Sequence, residues 1–252
     1  MKTLIFACFV LVMAASAFAV KADDSEPIYW GVYHPNPGEI PVGNLTDEYL
    51  LTYGTYYHGF ANGNKILYLT FDAGYEDGNT VKILDALRER GITAAFFLTG
   101  NYMKSNPEMV LKMIDDGHLI GNHSMTHPDI HYLSCADFSL EISMFEDLYK
   151  QLTGVSAPLY FRPPSCAFNR ANLKTVQAKG YKTMLWSIAY DDWQADQPTR
   201  CEAFAKIIPN LHPGAIILLH TTSTTNAAIM GELLDKCLEK GYVFKSLDDL
   251  PE

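Results

Sequence analysis

Runs of like charge are missing from this sequence, and so are apolar runs long enough to cross a membrane. No cluster of lysine or arginine occurs anywhere, and the formal net charge is -10. A polyanionic partner is thereby disfavoured, so neither nucleic acid nor an anionic membrane surface is expected to bind. A neutral or zwitterionic polymer is not disfavoured in the same way. Charged residues make up only 19% of the chain against 48% hydrophobic, which excludes a self-repelling disordered chain. Repeats and low-complexity tracts are absent. Cysteine is sparse. Cys8 stands near the start, and Cys135, Cys166, Cys201 and Cys237 are widely spaced. Those spacings fit neither a disulfide framework nor a zinc ribbon, so small buried or half-exposed thiols are expected.

The N-terminus does carry one apolar stretch. Met1-Lys2-Thr3 gives a positive start, Leu4–Ala15 is apolar, and Ala17-Phe18-Ala19 has the small-x-small form of a cleavage site. The stretch is too short for a spanning helix and runs into polar Lys21-Ala22-Asp23-Asp24, so residues 1–19 are expected to be a secretory signal peptide. Residues 20–64 are rich in Tyr, Pro, Gly and Asn without a clear period, and are expected to wrap around a main domain at 65–252. Within the wrap, Tyr29–Tyr33 reads as a short strand and Leu45–Tyr53 as a short helix begun by Thr46 or Asp47.

From Lys65 the pattern becomes regular. Strands are expected over Lys65–Asp72, Ile92–Leu98, His118–Gly121, Leu159–Arg162, Tyr181–Ile188, Ala215–Leu219 and Tyr242–Phe244. Helices are expected over Gly78–Arg90, Asn106–Asp116, Ala136–Leu152, Asn169–Lys179, Thr199–Asn210 and Thr224–Lys240, with Ser246 capping a last short turn. Strand and helix alternate about seven times, which predicts an α/β fold with a parallel sheet, closed or nearly closed into a barrel.

Chemistry in such folds gathers at the carboxyl ends of strands, and five of these strands end on polar groups. The first ends on Asp72, which either caps the following helix or serves a site. The second runs into Asn122-His123-Ser124-Met125-Thr126-His127. Two histidines four apart can converge on one ion, and imidazole suits zinc, iron, cobalt or nickel. Pro128 disfavours a helix there, so a loop is expected. The third ends on Arg162, before Pro163-Pro164, and an arginine closing an apolar strand needs an anion such as a carboxylate in the same mouth. The fourth leads to Tyr190-Asp191-Asp192-Trp193, whose acid can orient a histidine and whose Trp can stack on a sugar ring or simply pack. The fifth ends on His220. Each of these has an ordinary structural explanation alone; five sharing one rim argue for a site.

In order and spacing, TFDAG, HSMTH, RPP, DDW and LLH resemble the five motifs of the polysaccharide deacetylases, carbohydrate esterase family 4 with its NodB homology domain. The resemblance spans Leu67 to Leu250. It is nearest to the bacterial N-acetylmuramic acid deacetylases of spore-cortex δ-lactam formation, through LTFDAGYEDG, GNHSMTHPD, HPGAIILLHT and GYVFKSLDDL. The resemblance implies a distorted (β/α) barrel and a secreted N-deacetylase of a peptidoglycan glycan strand, expected as a monomer. It implies Asp72 as catalytic base, Arg162 as the group holding that base, Asp192 as the acid tuning His220, and His220 as general acid. It implies His123 and His127 as ligands of a divalent metal, zinc first, with cobalt, manganese or magnesium as alternatives. Tyr75, Pro164, Trp193 and Leu218 are the residues it implies for substrate binding.

Two departures qualify the resemblance. The family's usual second aspartate of the first motif is Ala73 here, which leaves two histidines and water, or an outside group such as Glu76, to hold a weakly bound metal. Ser165-Cys166 follows the RPP motif, where an Arg-Gly-type pair is usual. Deacetylation of chitin, xylan or N-acetylglucosamine polymers is an alternative activity, and Ala73 also motivates a carbohydrate-binding pseudoenzyme.

Overall fold

Short apolar runs alternating with amphipathic helices bury their faces best as a parallel sheet with helices outside it. In the computed structural model, which describes residues 24–250, the chain runs through β1 (Ile28–Tyr29), β2 (Val32–Tyr33), β3 (Val42–Gly43), α1 (Asp47–Thr52), β4 (Thr55–Tyr56), β5 (Ile66–Ala73) and α2 (Thr80–Glu89). It continues through β6 (Ala95–Leu98), α3 (Gly100–Ser105), α4 (Pro107–Asp115), β7 (Leu119–Asn122), α5 (Cys135–Thr153), β8 (Tyr160–Phe161), β9 (Ala167–Phe168) and α6 (Arg170–Ala178). Last come β10 (Lys182–Met184), α7 (Arg200–Ile207), β11 (Ala215–His220), α8 (Thr224–Glu239) and β12 (Val243–Phe244).

Eight strands form one parallel sheet in the order β11-β5-β6-β7-β8-β10-β4, with β12 beside the first residues of β5. The sheet curls, and single bridges draw its ends together: Ile188 lies beside Ile217 and His58 beside Ala215. This is the distorted barrel that the sequence implied. Alternation along β5 sorts its side chains. Leu67, Leu69, Phe71 and Ala73 join the large apolar cluster that also takes Ile83, Leu84 and Leu87 of α2 and Leu233 and Leu234 of α8. Tyr68 points the other way, packing with Phe97, Met184 and Ile216, so Thr70 and Asp72 follow it onto that inner face.

Register then places the site. Asp72 lies directly beside His220 on β11 and Phe97 on β6, while Leu98 lies beside Asn122 on β7 and Asn122 beside Phe161 on β8. All of these strand ends open at one rim.

Several elements differ from the sequence reading. The main sheet begins inside the segment expected to be only a wrap, because Thr55–Tyr56 pairs with Thr183–Met184. Tyr29–Tyr33 is two short strands, interrupted where Trp30 turns inward and its indole donates to the Trp186 carbonyl (2.9 Å). The expected strand Tyr181–Ile188 stops at Met184, because the backbone changes neighbours: Leu185 N–H donates to Tyr56 O (2.7 Å) but Ser187 N–H to Ile216 O (3.0 Å). Helix α3 was not anticipated; Thr99 caps it. Among the described residues Cys135, Cys166, Cys201 and Cys237 are all free thiols, as expected. No described helix is long and apolar enough to cross a membrane. The proposed signal peptide lies outside the described residues.

The seam near β11 demands glycine. Gly214 has φ +81°, and a Cβ there would stand 2.0 Å from the Gly59 carbonyl oxygen, whose own N–H donates to Gly214 O (2.7 Å). Gly63 has the same φ with open space around it. Gly63→Ala is therefore expected to cost about 1 kcal/mol from backbone strain, and Gly214→Ala at least about 3 kcal/mol because the seam must part. Urea unfolding midpoints of the two variants measure the difference.

Candidate active site

Asp72 sits at the end of β5, nearly buried, and an isolated carboxylate there would be too costly to keep charged. Its partner is Arg162, fully buried at the end of β8. Arg162 Nη1 donates to Asp72 Oδ1 (2.8 Å), Nη2 to Thr70 Oγ1 (2.8 Å), and Nε to the Met184 carbonyl (3.0 Å). The guanidinium also stacks 4.2 Å from the centroid of the Phe97 ring. Burial opposes ionisation of Asp72, but Arg162 first, then His123 and His220, outweigh it and hold the carboxyl below its usual range.

His123 and His127 leave β7 on a tightly coiled loop. Ser124 (φ +66°) and His127 (φ +61°) are both left-handed. Asn122 Oδ1 accepts from Ser124 N–H (2.8 Å) and Ser124 Oγ from His127 N–H (2.9 Å), which holds those conformations. The two imidazoles meet at 5.0 Å between centroids. His123 Nδ1 lies 2.8 Å from the Arg162 carbonyl, which can only accept, so Nδ1 carries the proton and Nε2 is bare. Nε2 stands 3.5 Å from Asp72 Oδ2. Burial pushes His123 down to about 4, against the opposing pull of Asp72. It is neutral at ordinary pH, as a metal ligand must be.

His220 is set in the opposite sense. Its Nδ1 donates to Asp192 Oδ1 (2.7 Å), and its backbone N–H donates to Asp192 Oδ2 (2.8 Å). Asp192 is fully buried and also accepts from Asn226 Nδ2 (2.5 Å), while Asn226 Oδ1 accepts from the Tyr190 hydroxyl. Burial alone would lower the His220 pKa; the hydrogen bond to Asp192 and the charges of Asp192 and Asp72 overcome it and raise the value. Asp72 and His220 thus face one cleft with oppositely shifted proton affinities, an arrangement suited to acid–base chemistry.

The cleft is about 770 Å³, lined by Asp72, His123, His127, His220, Leu218, Tyr75 and Trp193 among others. Tyr75 (61% exposed) and Trp193 (58% exposed) stand at its mouth, and Leu218 is buried in its wall. Pro164 is a correction: it is buried in a 3-10 turn and does not line the cleft, and Ser165 and Cys166 do so instead. Both of these have positive φ, and the Trp186 indole donates to Cys166 Sγ (3.1 Å). Burial pushes the Cys166 thiol up to about 12, so it is no nucleophile. Glu76 does not reach the histidines. Its oxygens accept from Tyr102 Oη (2.8 Å) and Gly78 N–H (2.7 Å). Tyr190 and Thr70 stood in the strand-end motifs without an assigned role, and Asn226 was not singled out in the sequence, nor was Lys206, the one lysine or arginine among the residues lining the cleft.

Among the described residues no group of three His, Cys, Asp or Glu side chains is placed to hold a metal ion. The third position is filled by the buried methyl of Ala73, which belongs to the apolar cluster. The bare Nε2 of His123 and the neighbouring ring of His127 do fit two ligands of a divalent ion with open positions for water and substrate.

Residues 61–184 match the family model described as polysaccharide deacetylase. The peptidoglycan-N-acetylmuramic acid deacetylase PdaA of Bacillus subtilis is 39% identical over 96% of this chain and 93% of its own. The solved structure of PdaA, described as a family 4 carbohydrate esterase, superposes with a TM-score of 0.85 at 38% identity, covering 90% of this chain and 97% of that one. A family 4 pseudoenzyme from Bacillus anthracis also superposes, with a TM-score of 0.71 at 26% identity over 78% of this chain and 68% of that one.

The raised pKa of His220 makes its ion pair with Asp192 testable. The stabilisation is fully present below the unfolded value of about 6.5 and fades as pH climbs through the raised folded value. Asp192→Asn should therefore lose more stability at pH 5 than at pH 9 in thermal melts. It should also drop the His220 titration midpoint, followed by NMR, below about 6.5, since burial is then the dominant influence.

Proposed function

We propose a specific substrate for a chain that belongs to the polysaccharide deacetylase family, carbohydrate esterase family 4, and is therefore a hydrolase of amide C–N bonds. That substrate is the N-acetyl group of a peptidoglycan amino sugar, N-acetylmuramic acid. The carrying observation is the pairing of a carboxylate whose ionised form Arg162 favours with a histidine whose protonated form Asp192 favours, side by side on β5 and β11.

In this reading Asp72 takes a proton from a water molecule whose oxygen adds to the acetyl carbonyl carbon. The tetrahedral adduct collapses as the C–N bond breaks, and His220 gives its Nε2 proton to the leaving nitrogen. The products are acetate and a free amine. Arg162 keeps Asp72 ionised and fixed, and Asp192 with Asn226 fixes the His220 ring so that Nε2 faces the cleft. When bound at His123 and His127, a divalent ion, zinc first among the candidates, supplies Lewis-acid polarisation of the carbonyl. Leu218 walls the acetyl methyl, and Tyr75 and Trp193 flank the sugar.

Two features support muramic acid over glucosamine. PdaA, whose name specifies N-acetylmuramic acid, is similar over almost the whole chain. Muramic acid also carries a lactyl carboxylate, and Lys206 is a cationic residue in the cleft lining that would complement it. The freed amine and that carboxylate belong to one sugar and can close to a δ-lactam, so in this reading the enzyme acts before lactam closure in the spore cortex. A signal peptide at residues 1–19 would deliver it to that wall. Ala73 favours a second reading, a glycan-binding pseudoenzyme, because it removes a metal ligand that the family usually has.

Acetate release by the mature protein from peptidoglycan glycan strands decides between them. Release should vanish in chelator and return with zinc, cobalt, manganese or magnesium. Asp72→Asn should cut release by at least about a thousandfold while leaving strand binding intact. No release with any ion leaves the binding module. Lys206→Gln should raise KM on muramic strands and not on carboxyl-reduced strands.

A further inference from the structure

Outside the cleft, one group of exposed rings is built rather than scattered. Tyr29 is 60% exposed and Tyr132 is 73% exposed, and both pack on the buried ring of His131. Tyr29 meets that ring edge-on at 5.5 Å between centroids, and Tyr132 meets it tilted at 4.1 Å. Each tyrosine is thus anchored on His131 while most of its own surface stays in solvent. Single exposed tyrosines need no explanation, but a pair held on a shared buried ring is a fixed apolar surface with hydroxyl edges.

The support beneath it is rigid. Asn169 Nδ2 donates to the His131 carbonyl (3.1 Å) and Asn172 Nδ2 to the Ile130 carbonyl (3.2 Å). Tyr29 pairs with Ala167 across β1 and β9, and its carbonyl accepts from Asn44 Nδ2 (2.7 Å). The backbone that carries both rings is thereby fixed, so little of it remains to be ordered on binding. The surface is also continuous with the cleft. Tyr29 leads directly into Trp30, which lines the cleft, and its strand partner Ala167 follows Cys166, which lines it too.

We propose that Tyr29 and Tyr132 form a second saccharide site, on which a neighbouring sugar of the same glycan strand stacks while another unit occupies the cleft. The proposal rests on the glycan-deacetylase reading and adds a distal contact to it. A pyranose ring presents an apolar C–H face bordered by hydroxyls, which suits a tyrosine face with its phenol edge. A hydrogen bond to Tyr132 is the first cause that raises the Tyr29 pKa, with the charge of Asp129 adding to it, so the two phenols are linked at the edge of the pair. The same acidic neighbour and the net charge of -10 disfavour a nucleic acid base as the stacking partner.

The test compares long glycan strands with a trisaccharide too short to reach the platform. For the double variant Tyr29→Ala/Tyr132→Ala, KM for acetate release from long strands should rise about tenfold, with kcat unchanged and the trisaccharide unaffected. Tyr29→Phe/Tyr132→Phe should restore most of the loss, because the ring faces remain. Equal changes on both substrates, or none on either, would overturn the platform while leaving the deacetylase reading intact. A shift in sedimentation from dimer to monomer on making the alanine variant would overturn it too, and would make this face a contact between copies. Co-sedimentation with insoluble strands, in an Asp72→Asn background with and without the alanine pair, reads the platform without catalysis. That arm stays decisive if the wild type releases no acetate and the deacetylase reading falls.

Discussion

A single buried guanidinium organises this rim. Arg162 reaches β5 through Asp72 and Thr70, the end of β10 through the Met184 carbonyl, and β6 through the face of Phe97. Its own carbonyl accepts from His123 and so fixes the loop that leaves β7. Removing a charge so deeply buried would strand Asp72 as well, at a cost of about 3–5 kcal/mol. The pair is thus poor evidence of net stability, but it links the position of the carboxylate to the tautomer of the histidine beside it. No element of that group can shift without disturbing the others.

The electrostatic division of the cleft follows from this arrangement. Asp72 and His220 are adjacent in strand register, and each lies within reach of the other's charge. Arg162 stabilises the anion on one strand, and Asp192 the cation on the next. Burial works against both ionised forms, so each depends on a dedicated partner fixed by further hydrogen bonds: Thr70 behind Arg162, and Asn226 with Tyr190 behind Asp192. His123 has Asp72 beside it, but burial outweighs that pull and makes it the neutral member of the set.

The polar ends of strands were legible in the sequence because a carboxylate, an arginine or a histidine closing an apolar run is conspicuous. The helix starts were legible for a similar local reason: Ser134, Thr199 and Ser223 each accept from the backbone N–H three residues on. What escaped notice depends on contacts between distant segments. Asn226 looks like any polar residue in a first helical turn, and only the fold brings it under Asp192. Glu76 looked free to assist a metal, but Tyr102, from a helix that no pattern announced, holds it elsewhere. Pro164 belongs to a conspicuous motif, yet the turn it starts buries the proline and presents Ser165 and Cys166 to the cleft. The strand over Tyr181–Ile188 was overread because its residues stay buried while its backbone crosses from β4 to β11, a change that periodicity does not record.

Ala73 follows from the same alternation that makes Asp72 useful. On β5 the odd positions Leu67, Leu69 and Phe71 face the helices, and Ala73 continues that row into the apolar cluster. A carboxylate placed there would begin among hydrocarbon and would need the ion itself to compensate its burial. With a methyl in its place, the strand end gains apolar packing and the ion loses a ligand. The work of holding charge at this rim then rests on Arg162 and Asp192, both wholly protein-borne and both already satisfied without metal. The hydrogen bonds that orient Asp72 and His220 come from protein groups alone, so a weakly held ion is compatible with a fixed arrangement of the two.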